Sequence, residues 1–520
     1  MTSKLTPFAK ILIVAAVVGG AFLGVRYFLS NTETGKKMAE KSQTTVNEEK
    51  KGNTASDDPD VIKIQVFTFG GYAAGWYYNE GFEPNENSRF FKEYGLKVKF
   101  VLIDDFDASR QAFKSDEVQL FGNETSAMVA EMEGLGSYNP NVCFQVDWSR
   151  GADALVVKRG INSANDLRGK KIAVTPATPS QTFLLWMLDA ANMSMKDIQI
   201  VEVPTAIDAA TAFKSGQVDA ALVWSPDDED CVRKVPGAKI LQSTRQATNI
   251  IADVMMSKRE WAEKNRDKLA KLYAGWMKGA AELNCNEDNM RKAAKIMAEN
   301  TGISEADALA GIKTLRLTNH GDNVNFFGKN NNYKGVTGED IYTKMGSQYE
   351  KLGMAKEKRP NWRELTSVNV IGTANLTGTC DIAEAGKVFS PVTEQVKSLP
   401  AVASKPISIT FPSGQYLIDE NAKTLIDLQF KDIAKAFASA RIRIEGNTDN
   451  VGKRDMNLSL SQKRAESVAK YLETEYGMSR NRFIVIGNGP DKPITGCEQN
   501  QDAACKAKNR RTEFKLVAEQ

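Results

Sequence analysis

Asp449 and Arg464 are opposite charges whose spacing could hold a ligand that carries both signs of charge. Asp449 lies in a polar, glycine-containing loop after an apolar strand pattern at Ile442 and Ile444, and Arg464 lies on a helix predicted to begin near Ser459. Such a loop aims the first turns of the helix back at the strand end, where a carboxylate could accept an ammonium group and a guanidinium could fork onto a carboxylate. The pair therefore predicts a site for an amino-acid-like ligand.

The residues around this pair follow a wider pattern. It consists of Thr448-Asp449 with Gly452, then Asn457, Leu460, Ser461, Arg464 and Ala465, and finally Asn509-Arg510-Arg511. On these motifs, residues 405–520 resemble the OmpA-like C-terminal family, the peptidoglycan-associated module of many Gram-negative envelope proteins. The resemblance implies that Asp449 and Arg464 hold the free amino-acid end of diaminopimelate in the cell-wall stem peptide. It places Thr448, Asn457, Leu460, Ser461, Asn509 and Arg510 at the same site.

The elements around the site predict a small α+β domain with helices on a sheet. We expect strands at 407–411, 441–446, 483–487 and 512–517, and helices at 420–439 and 459–476. Residues 381–404, before this domain, are typical of a weakly structured connector.

The middle of the chain alternates strand and helix patterns, which favours a mostly parallel α/β sheet with its function at the carboxyl ends of the strands. Strand patterns occur at 61–69, 96–103, 118–122, 170–174, 198–203 and 218–224, and the chain becomes helical after about residue 255. The segments INSANDLRGKKIAV and AATAFKSGQVDAALVWSP resemble the periplasmic solute-binding proteins of the nitrate, sulfonate and thiamine-precursor type. This resemblance covers 61–370 and implies a domain at 61–380 with two lobes that close on a ligand, the first from 61–155 and 255–370 and the second from 156–250.

Candidate ligand-cleft residues lie at the ends of these strands. They are Gly71, Tyr72, Asn123, Glu124, Thr125, Thr178, Ser180, Gln181, Trp224 and Asp227. Thr178 as N-cap, Pro179 at the first helical position and Gln181 at the third predict a capping-box-like helix start whose amide groups suit an anion. Glu124 and the acidic run 227–230 instead favour a ligand with an amine, so both ligand classes remain open.

The N-terminus predicts a membrane segment. Lys4 and Lys10 precede an apolar run from Ile11 to Val25, and a span at 11–29 is long enough to cross a bilayer. We expect an uncleaved signal anchor with residues 1–10 in the cytoplasm, and a cleavable signal peptide is the competing interpretation. Residues 30–60 predict a disordered linker. The protein would then cross the inner membrane once, with the bulk of the chain in the periplasm.

Composition excludes several classes of function. The net charge of +3 is small for 520 residues and argues against a nucleic-acid partner. A single histidine, His320, argues against histidine metal sites and against Ser-His or Cys-His catalysis. We therefore expect a binding protein rather than an enzyme, without cofactor or metal.

Six cysteines are consistent with the oxidising compartment that the anchor implies. Cys497 and Cys505 lie just before the closing Asn509 motif, where OmpA-like relatives often carry a similar pair, so the resemblance predicts a disulfide between them. The other cysteines, Cys143, Cys231, Cys285 and Cys380, allow three pairings that the sequence does not separate.

Together these features predict an envelope-anchored periplasmic binding protein. Its C-terminal domain would attach to peptidoglycan, and its two-lobed domain would bind an anion, a sulfonate or an amine-bearing metabolite for sensing or uptake, with an ABC permease or another envelope protein as partner. The alternative is a structural protein whose solute-binding-like domain docks a partner protein while the chain tethers the inner membrane to the wall. An ion-channel stator is disfavoured because Ile11–Val25 contains no ionisable group.

Overall fold

The structure is a computed structural model that describes residues 58–356, 358–409, 411 and 414–518. The predicted membrane anchor at 11–29 and the linker up to residue 57 lie outside these residues. Within the described ranges, no helix combines the length and the apolar character needed to span a bilayer.

The described chain contains strands and helices in alternation. The strands are β1 (Val61–Val66), β2 (Lys97–Leu102), β3 (Leu120–Glu124), β4 (Pro140–Ser149), β5 (Asp153–Val157), β6 (Lys171–Val174), β7 (Gln199–Glu202), β8 (Ala220–Trp224), β9 (Lys239–Ser243), β10 (Ala252–Lys258), β11 (Leu315–Leu317), β12 (Ala401–Ile407), β13 (Arg441–Asn447), β14 (Phe483–Gly489) and β15 (Thr512–Val517). The helices are α1 (Ala73–Asn79), α2 (Arg89–Tyr94), α3 (Phe106–Lys114), α4 (Met128–Leu135), α5 (Pro179–Ala190), α6 (Ala206–Lys214), α7 (Asp227–Lys234), α8 (Arg259–Lys264), α9 (Arg266–Cys285), α10 (Glu287–Thr301), α11 (Glu305–Lys313), α12 (His320–Phe326), α13 (Gly338–Lys351), α14 (Trp362–Leu365), α15 (Glu394–Ser398), α16 (Glu420–Gln429), α17 (Lys431–Ala436), α18 (Arg454–Tyr476) and α19 (Ala503–Asn509).

The solute-binding-like part contains two sheets. The first has the order β11-β4-β10-β3-β1-β2 and the second the order β7-β6-β8-β5-β9. The chain passes between them after β4 and again after β9, and the strands next to these passages, β5 and β10, run antiparallel to their neighbours. Each sheet is therefore mixed, and the prediction of a mostly parallel sheet is wrong. It did not foresee that β5 and β10, the strands that follow the two passages between the sheets, run antiparallel to their neighbours.

The C-terminal part forms a third sheet in the order β12-β15-β13-β14, with β13 and β14 parallel. Three of its predicted boundaries are wrong. The first strand lies at 401–407 instead of 407–411. It includes Pro406, which a strand at the edge of a sheet can accommodate. The predicted helix 420–439 divides at Phe430 into α16 and α17, and α18 begins at Arg454 instead of Ser459.

A buried group of opposite charges joins the C-terminal part to the solute-binding-like part. The Asp189 carboxylate, at the end of α5, accepts a hydrogen bond from the Lys405 ammonium of β12 at 2.5 Å and from the Lys344 ammonium of α13 at 2.9 Å. Burial opposes ionisation of Asp189, but the two lysines together lower its pKa below the usual range. Asn165 adds a two-way contact, because its side chain accepts from Ser404 N and donates to Ser404 O. The two parts therefore share one packed boundary.

We predict that Asp189→Asn destabilises the protein at neutral pH. It leaves Lys405, whose side chain is 8% exposed, without its anionic partner, and charge-assisted hydrogen bonds contribute about 1.5–3 kcal/mol each. A carboxyl whose pKa is depressed by folding stabilises above its unfolded value of about 3.9, and this stability is lost as the pH falls through the folded value. Thermal unfolding of wild type and variant should differ at about pH 7, and the difference should be smaller at about pH 3.

The control for this prediction is Glu260→Gln, which removes an exposed ion pair with Lys264 on α8. Such exposed pairs contribute little, so its unfolding midpoint should match that of wild type at both pH values. Equal midpoints for Asp189→Asn and wild type at neutral pH would contradict the structural role of Asp189.

Candidate functional site

Helix α18 carries Arg464 and packs directly on two strand glycines. Gly446 of β13 and Gly487 of β14 are register partners in adjacent parallel strands. A Cβ atom at Gly446 would collide with the carbonyl oxygen of Ser461, and one at Gly487 would collide with the backbone nitrogen of Gln462. The two glycines thus let the backbone of α18 pack directly against the sheet, which sets the distance between the helix and the strands that lead to the Asp449 loop.

The Asp449 carboxylate lies at the end of β13 and is held by two contacts. One oxygen accepts from the Val451 backbone N–H at 3.1 Å, and the other accepts from the Arg510 guanidinium at 2.6 Å. Asn457, in the first turn of α18, donates to the carbonyl oxygen of Val451 at 3.0 Å and so fixes the loop. The carboxylate is therefore oriented by the loop and neutralised by a cation from this chain.

Arg464 is 8% exposed and lies with its guanidinium carbon 4.7 Å from the ring centroid of Phe411. Its Nε donates to the carbonyl oxygen of Gln415 at 3.1 Å. Burial lowers the pKa of Arg464, while the nearby Asp449 charge raises it and the Arg510 charge lowers it further. The structure therefore brings together the two charges that the sequence singled out, with Arg510 as a third.

The other residues predicted at this site have positioning contacts. Ser461 donates to Leu458 O at 2.9 Å and accepts from Gly489 N at 2.9 Å. Asn509 is fully buried and donates to Cys497 O at 2.9 Å. The Thr448 hydroxyl is buried without a hydrogen-bond partner among the described residues, and Leu460 is half-buried. Direct ligand contact by these four stays a prediction.

Two disulfides are present among the described cysteines. Cys497 is bonded to Cys505, the predicted pair, and Cys285 is bonded to Cys380, one of the pairings that the sequence left open. Cys143 and Cys231 are buried free thiols. Burial raises the pKa of each of these two thiols to about 11, which keeps them protonated. The second disulfide ties the end of α9 to the segment before the C-terminal part.

Three carboxylates lie side by side on neighbouring strands of the first sheet. Asp253 of β10 is the register partner of Glu124 on β3 and of Asp147 on β4, and we call these three residues the acidic row. Register partners on adjacent strands project to the same face. Asp153, the first residue of β5, is 6% exposed and its charge acts on Asp147. The strand ends between the two sheets therefore bring four carboxyl groups close together.

Burial governs the protonation of these groups. It raises the pKa values of Asp147 and Asp253 well above the usual range. The charges of Asp153 and Glu124 raise both pKa values further, and the charge of Asp147 also raises that of Asp253. Burial also raises the pKa of Asp153 to about 7, which hydrogen bonds from Ser149 and Trp224 partly offset. Burial raises the pKa of Glu124 as well, against hydrogen bonds from Ser126. Burial thus favours the neutral form of each of these carboxyls.

The candidate cleft residues that lie in or follow β1 and β3 are located near the acidic row. Tyr72 is 2% exposed, and a Cβ atom at Gly71 would collide with the Asp147 carboxylate. Asn123 accepts from Arg110 at 3.1 Å, and the Thr125 hydroxyl donates to Ala252 O at 2.9 Å. Asn123 and Thr125 are therefore committed to contacts within the protein. Ligand contact by any of them stays a prediction.

Glu124 is likewise committed. Its carboxylate accepts from Ser126 N at 3.0 Å, Ser126 Oγ at 2.5 Å, Ala127 N at 2.8 Å and Ala252 N at 3.2 Å. The Ser126 hydroxyl also contacts Thr182 of α5 at 2.8 Å, and Thr182 contacts the Tyr349 hydroxyl of α13 at 3.1 Å. This chain of hydrogen bonds places the first turns of α5 beside the acidic row.

The start of α5 has the predicted residues but not the predicted bonds. Thr178 is the N-cap and Pro179 the first helical residue, yet the Thr178 hydroxyl donates to Thr175 O at 2.7 Å and does not cap the helix. Gln181 reaches past the N-cap and accepts from Ala177 N at 2.7 Å. The capping-box interpretation is therefore wrong, because Ala177 turns the chain with a φ of 54°.

Three further cleft residues differ in exposure. The Ser180 hydroxyl is buried without a partner among the described residues, whereas Trp224 is 39% exposed at the end of β8 in register with Asp153. Asp227 is half-buried, with its carboxylate 3.8 Å from the Lys214 ammonium. The structure thus brings Trp224 to the acidic region, while Asp227 forms an ion pair within the second lobe.

Sequence reasoning missed Asp147, Asp153 and Asp253. A detectable signal was present, because Asp147 and Asp253 are single carboxylates inside the apolar strand runs CFQVDW and IIADVMM. A buried strand position normally excludes an unpaired charge, so such a residue indicates a functional group.

Comparison with protein families covers both parts of the chain. The model described as "OmpA family" matches residues 410–507, and the model described as "NMT1/THI5 like" matches residues 86–288. The chain contains an OmpA domain and an NMT1/THI5-like solute-binding domain. The OmpA domain is the part that holds Asp449 and Arg464, and the solute-binding domain holds the acidic row.

Curated relatives align with the OmpA domain. Outer membrane porin F of Pseudomonas aeruginosa is 30% identical over 155 residues, which are 29% of this chain and 43% of that protein. Probable lipoprotein YiaD of Escherichia coli is 34% identical over 116 residues, 22% of this chain and 50% of that protein. The chain thus spans about half or less of the length of these relatives.

Solved structures align with the solute-binding domain. The periplasmic aliphatic sulphonate binding protein SsuA from Escherichia coli aligns with a TM-score of 0.46 at 16% identity, over 65% of this chain and 98% of that one. The periplasmic nitrate-binding protein NrtA from Synechocystis aligns with a TM-score of 0.38 at 14% identity, over 48% of this chain and 68% of that one. Neither likeness identifies a ligand.

We predict that Gly446→Ala destabilises the OmpA domain, since the new methyl group meets the backbone of α18. Overpacking of this kind costs about 1–3 kcal/mol. Urea unfolding of the full-length protein, followed by circular dichroism, should show the loss. The matched control is Gly386→Ala, where a Cβ atom would meet no atom within 4 Å, and its unfolding should equal that of wild type. Equal stability of both variants would show that α18 does not depend on this contact.

Proposed function

We propose that the protein is a binding protein of the bacterial envelope that attaches to peptidoglycan through its OmpA domain and captures a small ligand in its solute-binding domain. The observation that carries the proposal is the group of Asp449, Arg464 and Arg510 beside α18 in an OmpA domain. One carboxylate and two guanidinium groups suit the ammonium and carboxylate of the diaminopimelate stem peptide.

Binding at this site is an exchange of partners. In the unliganded protein Arg510 occupies the Asp449 carboxylate, and its side chain is 47% exposed, so it can leave. The ammonium group of diaminopimelate replaces it on Asp449. Arg464 then forks onto the ligand carboxylate, and the released Arg510 adds a second cation there. The wall ligand thus reproduces a charge pairing that the protein already contains.

Capture of a small ligand is supported by the mixed two-sheet fold and by the polar residues at the strand ends between the sheets. The Ser126–Thr182–Tyr349 chain of hydrogen bonds crosses this junction and suits a domain that opens and closes there. Disulfides support an oxidising compartment, which agrees with the periplasm. Single-pass anchoring in the inner membrane and an ABC permease partner stay predictions.

A second candidate function is a structural one, in which the solute-binding domain docks another envelope protein. The contact of Asp189 with both Lys405 and Lys344 favours it, because a binding domain fixed to a wall-attached domain is stationary. A stationary sensor and a partner-docking module would both have the two domains fixed to each other in this way. Only the sensor would also bind a small molecule.

We predict that Asp449→Ala and Arg464→Ala each weaken wall binding by about tenfold or more, since charge-assisted hydrogen bonds contribute about 1.5–3 kcal/mol. Arg464→Lys should also fail, because an ammonium cannot fork onto a carboxylate. Arg510→Ala should have a smaller effect, since it removes a competitor for Asp449 together with a ligand contact. The measurement is co-sedimentation of the full-length protein with sacculi that contain diaminopimelate or, for comparison, lysine.

The control for wall binding is Arg454→Ala, which removes an exposed ion pair with Asp491 at the start of α18. It should bind sacculi as wild type does. Equal retention of wild type, Asp449→Ala and Arg464→Ala would exclude the proposed wall site.

We further predict that the full-length protein is stabilised by at least one small molecule in a thermal-shift screen of anions, sulfonates, amino acids and amines. A ligand at a hundred times its dissociation constant adds about 2.7 kcal/mol of stability when it binds only the folded state. Small-angle scattering should then show a more compact particle. The absence of any stabiliser, with unchanged scattering, would favour partner docking instead.

A further inference from the structure

The acidic row contains a fully buried carboxylate, that of Asp147, and neither of its oxygens has a hydrogen-bond partner among the described residues. Burying such a group is costly unless it is hydrogen-bonded or neutralised. Glu124 in the same row accepts four hydrogen bonds from its own chain. The contrast indicates that Asp147 is not used to hold the fold.

We propose that the acidic row, with Asp153, is the subsite for an organic ammonium group in the ligand cleft of the solute-binding domain. This inference rests on the proposed capture of a small ligand and names its chemical class. The ammonium group would donate hydrogen bonds to the free oxygens of Asp147 and would supply the positive charge that the row lacks.

The chain itself does not supply that charge. Within the described part of the chain, none of Asp147, Asp153 and Asp253 forms an ion pair with a lysine or arginine. The basic groups whose charge reaches this region are bonded elsewhere. Arg150 pairs with Glu384 at 2.6 Å, and Arg110 pairs with Glu131 at 2.7 Å. A cation from outside the chain is therefore the group that completes the site.

An organic cation suits the surroundings better than a metal ion. Among the described residues, no group of three or more acidic, histidine or cysteine side chains converges in a way that could hold a metal ion. The carboxylates are instead spread across three strands, beside aromatic rings. The point where a Gly71 Cβ would lie is 2.7 Å from the Phe69 ring and in contact with the Asp147 carboxylate. Tyr72 follows directly, and Trp224 lies in register with Asp153. Aromatic faces beside carboxylates are typical of ammonium recognition.

The test uses Asp147→Asn and Asp253→Asn in the full-length protein, with putrescine, choline, taurine, methanesulfonate and calcium chloride as probes. We expect putrescine or choline to bind wild type in titration calorimetry and to bind each variant at least tenfold more weakly. We also expect both unliganded variants to melt at higher temperature than wild type. A carboxyl without a cationic partner destabilises the folded protein, and the asparagine amide that replaces it carries no charge. A carboxylate needed only for the fold would give the opposite shift.

The matched control is Glu445→Gln in the OmpA domain. Glu445 is also buried, at 2% exposed, but it pairs with Lys515 at 3.0 Å and Lys492 at 3.3 Å. Its neutralisation should lower the melting temperature and leave the affinity for the cationic probes unchanged. The two types of variant should therefore shift stability in opposite directions.

Affinity for the cationic probes should also rise between about pH 6 and about pH 8, since carboxyls with raised pKa values must lose protons to pair with the ammonium group. Glu124 and Asp153 act on both Asp147 and Asp253, Asp147 also acts on Asp253, and Arg150 acts on Asp147. Asp228 acts on Asp153, and Tyr72 beside the row is acted on by Asp253, Asp147, Arg110 and Asp104.

Each other outcome counts against the ammonium subsite. Stabilisation of wild type and both variants by methanesulfonate or taurine alone would leave ligand capture intact and overturn this inference. Binding of calcium that is lost in Asp147→Asn would assign the row to a metal ion. If no probe of either charge binds, both the subsite and the proposed capture fail, whereas wall binding is measured separately with sacculi.

Discussion

The Asp189 carboxylate joins three segments of the chain through hydrogen bonds: α5, α13 and β12. It ends α5 of the second sheet, and it accepts hydrogen bonds from Lys405 on the edge strand of the OmpA domain and from Lys344 on α13. Lys344 also lies 3.6 Å from the Asp432 carboxylate, at the start of α17. Because Lys405 is almost fully buried, its charge has no alternative partner in water, and the position of the OmpA domain depends on Asp189 remaining ionised.

This contact has a consequence for ligand capture. Helix α5 begins beside the acidic row and ends near Asp189, so one end lies at the proposed ligand subsite and the other contacts the OmpA domain. A rigid helix transmits a displacement at one end to the other, and the OmpA domain also touches α13, which packs near the same helix through Tyr349. The proposed closure on a ligand would therefore have to change, or be limited by, the contacts of the OmpA domain. A stationary sensor or docking module fits this arrangement better than a freely shuttling carrier.

The sequence predicted elements with strong local signals better than those decided by distant parts of the chain. β13, β14, β15 and the start of α5 lie close to their expected positions, because apolar alternation and a Thr-Pro start are local patterns. The strand at 401–407 was missed because it is stabilised by pairing with β15, which is distant in the sequence. Proline normally disfavours a strand, but it is accommodated at a sheet edge. The antiparallel strands beside the two crossings could not be read from periodicity, which carries no information on strand direction.

The candidate sites show the same division. The charges Asp449 and Arg464 were found because a motif surrounds them, but their neutralisation by Arg510 depends on a turn of the chain 61 residues later. Of the acidic row, the sequence analysis named Glu124 but missed Asp147 and Asp253, because only the pairing of β3, β4 and β10 makes these three carboxylates neighbours. Side-chain capping at Thr178 failed for a local reason, the left-handed conformation of Ala177.

The two carboxylates proposed to bind an ammonium group, Asp449 and Asp147, lie in different surroundings. Asp449 is partly accessible and is paired with the Arg510 guanidinium, whose side chain is 47% exposed. Asp147 is enclosed, has no cation from the described chain, and burial raises its pKa, which favours its protonated form. Exchange of one cation for another involves no change in proton number, whereas replacement of a proton by an ammonium does. The proposed binding of an ammonium group at Asp147 would therefore involve a change in proton number, because burial favours the protonated form of that carboxyl.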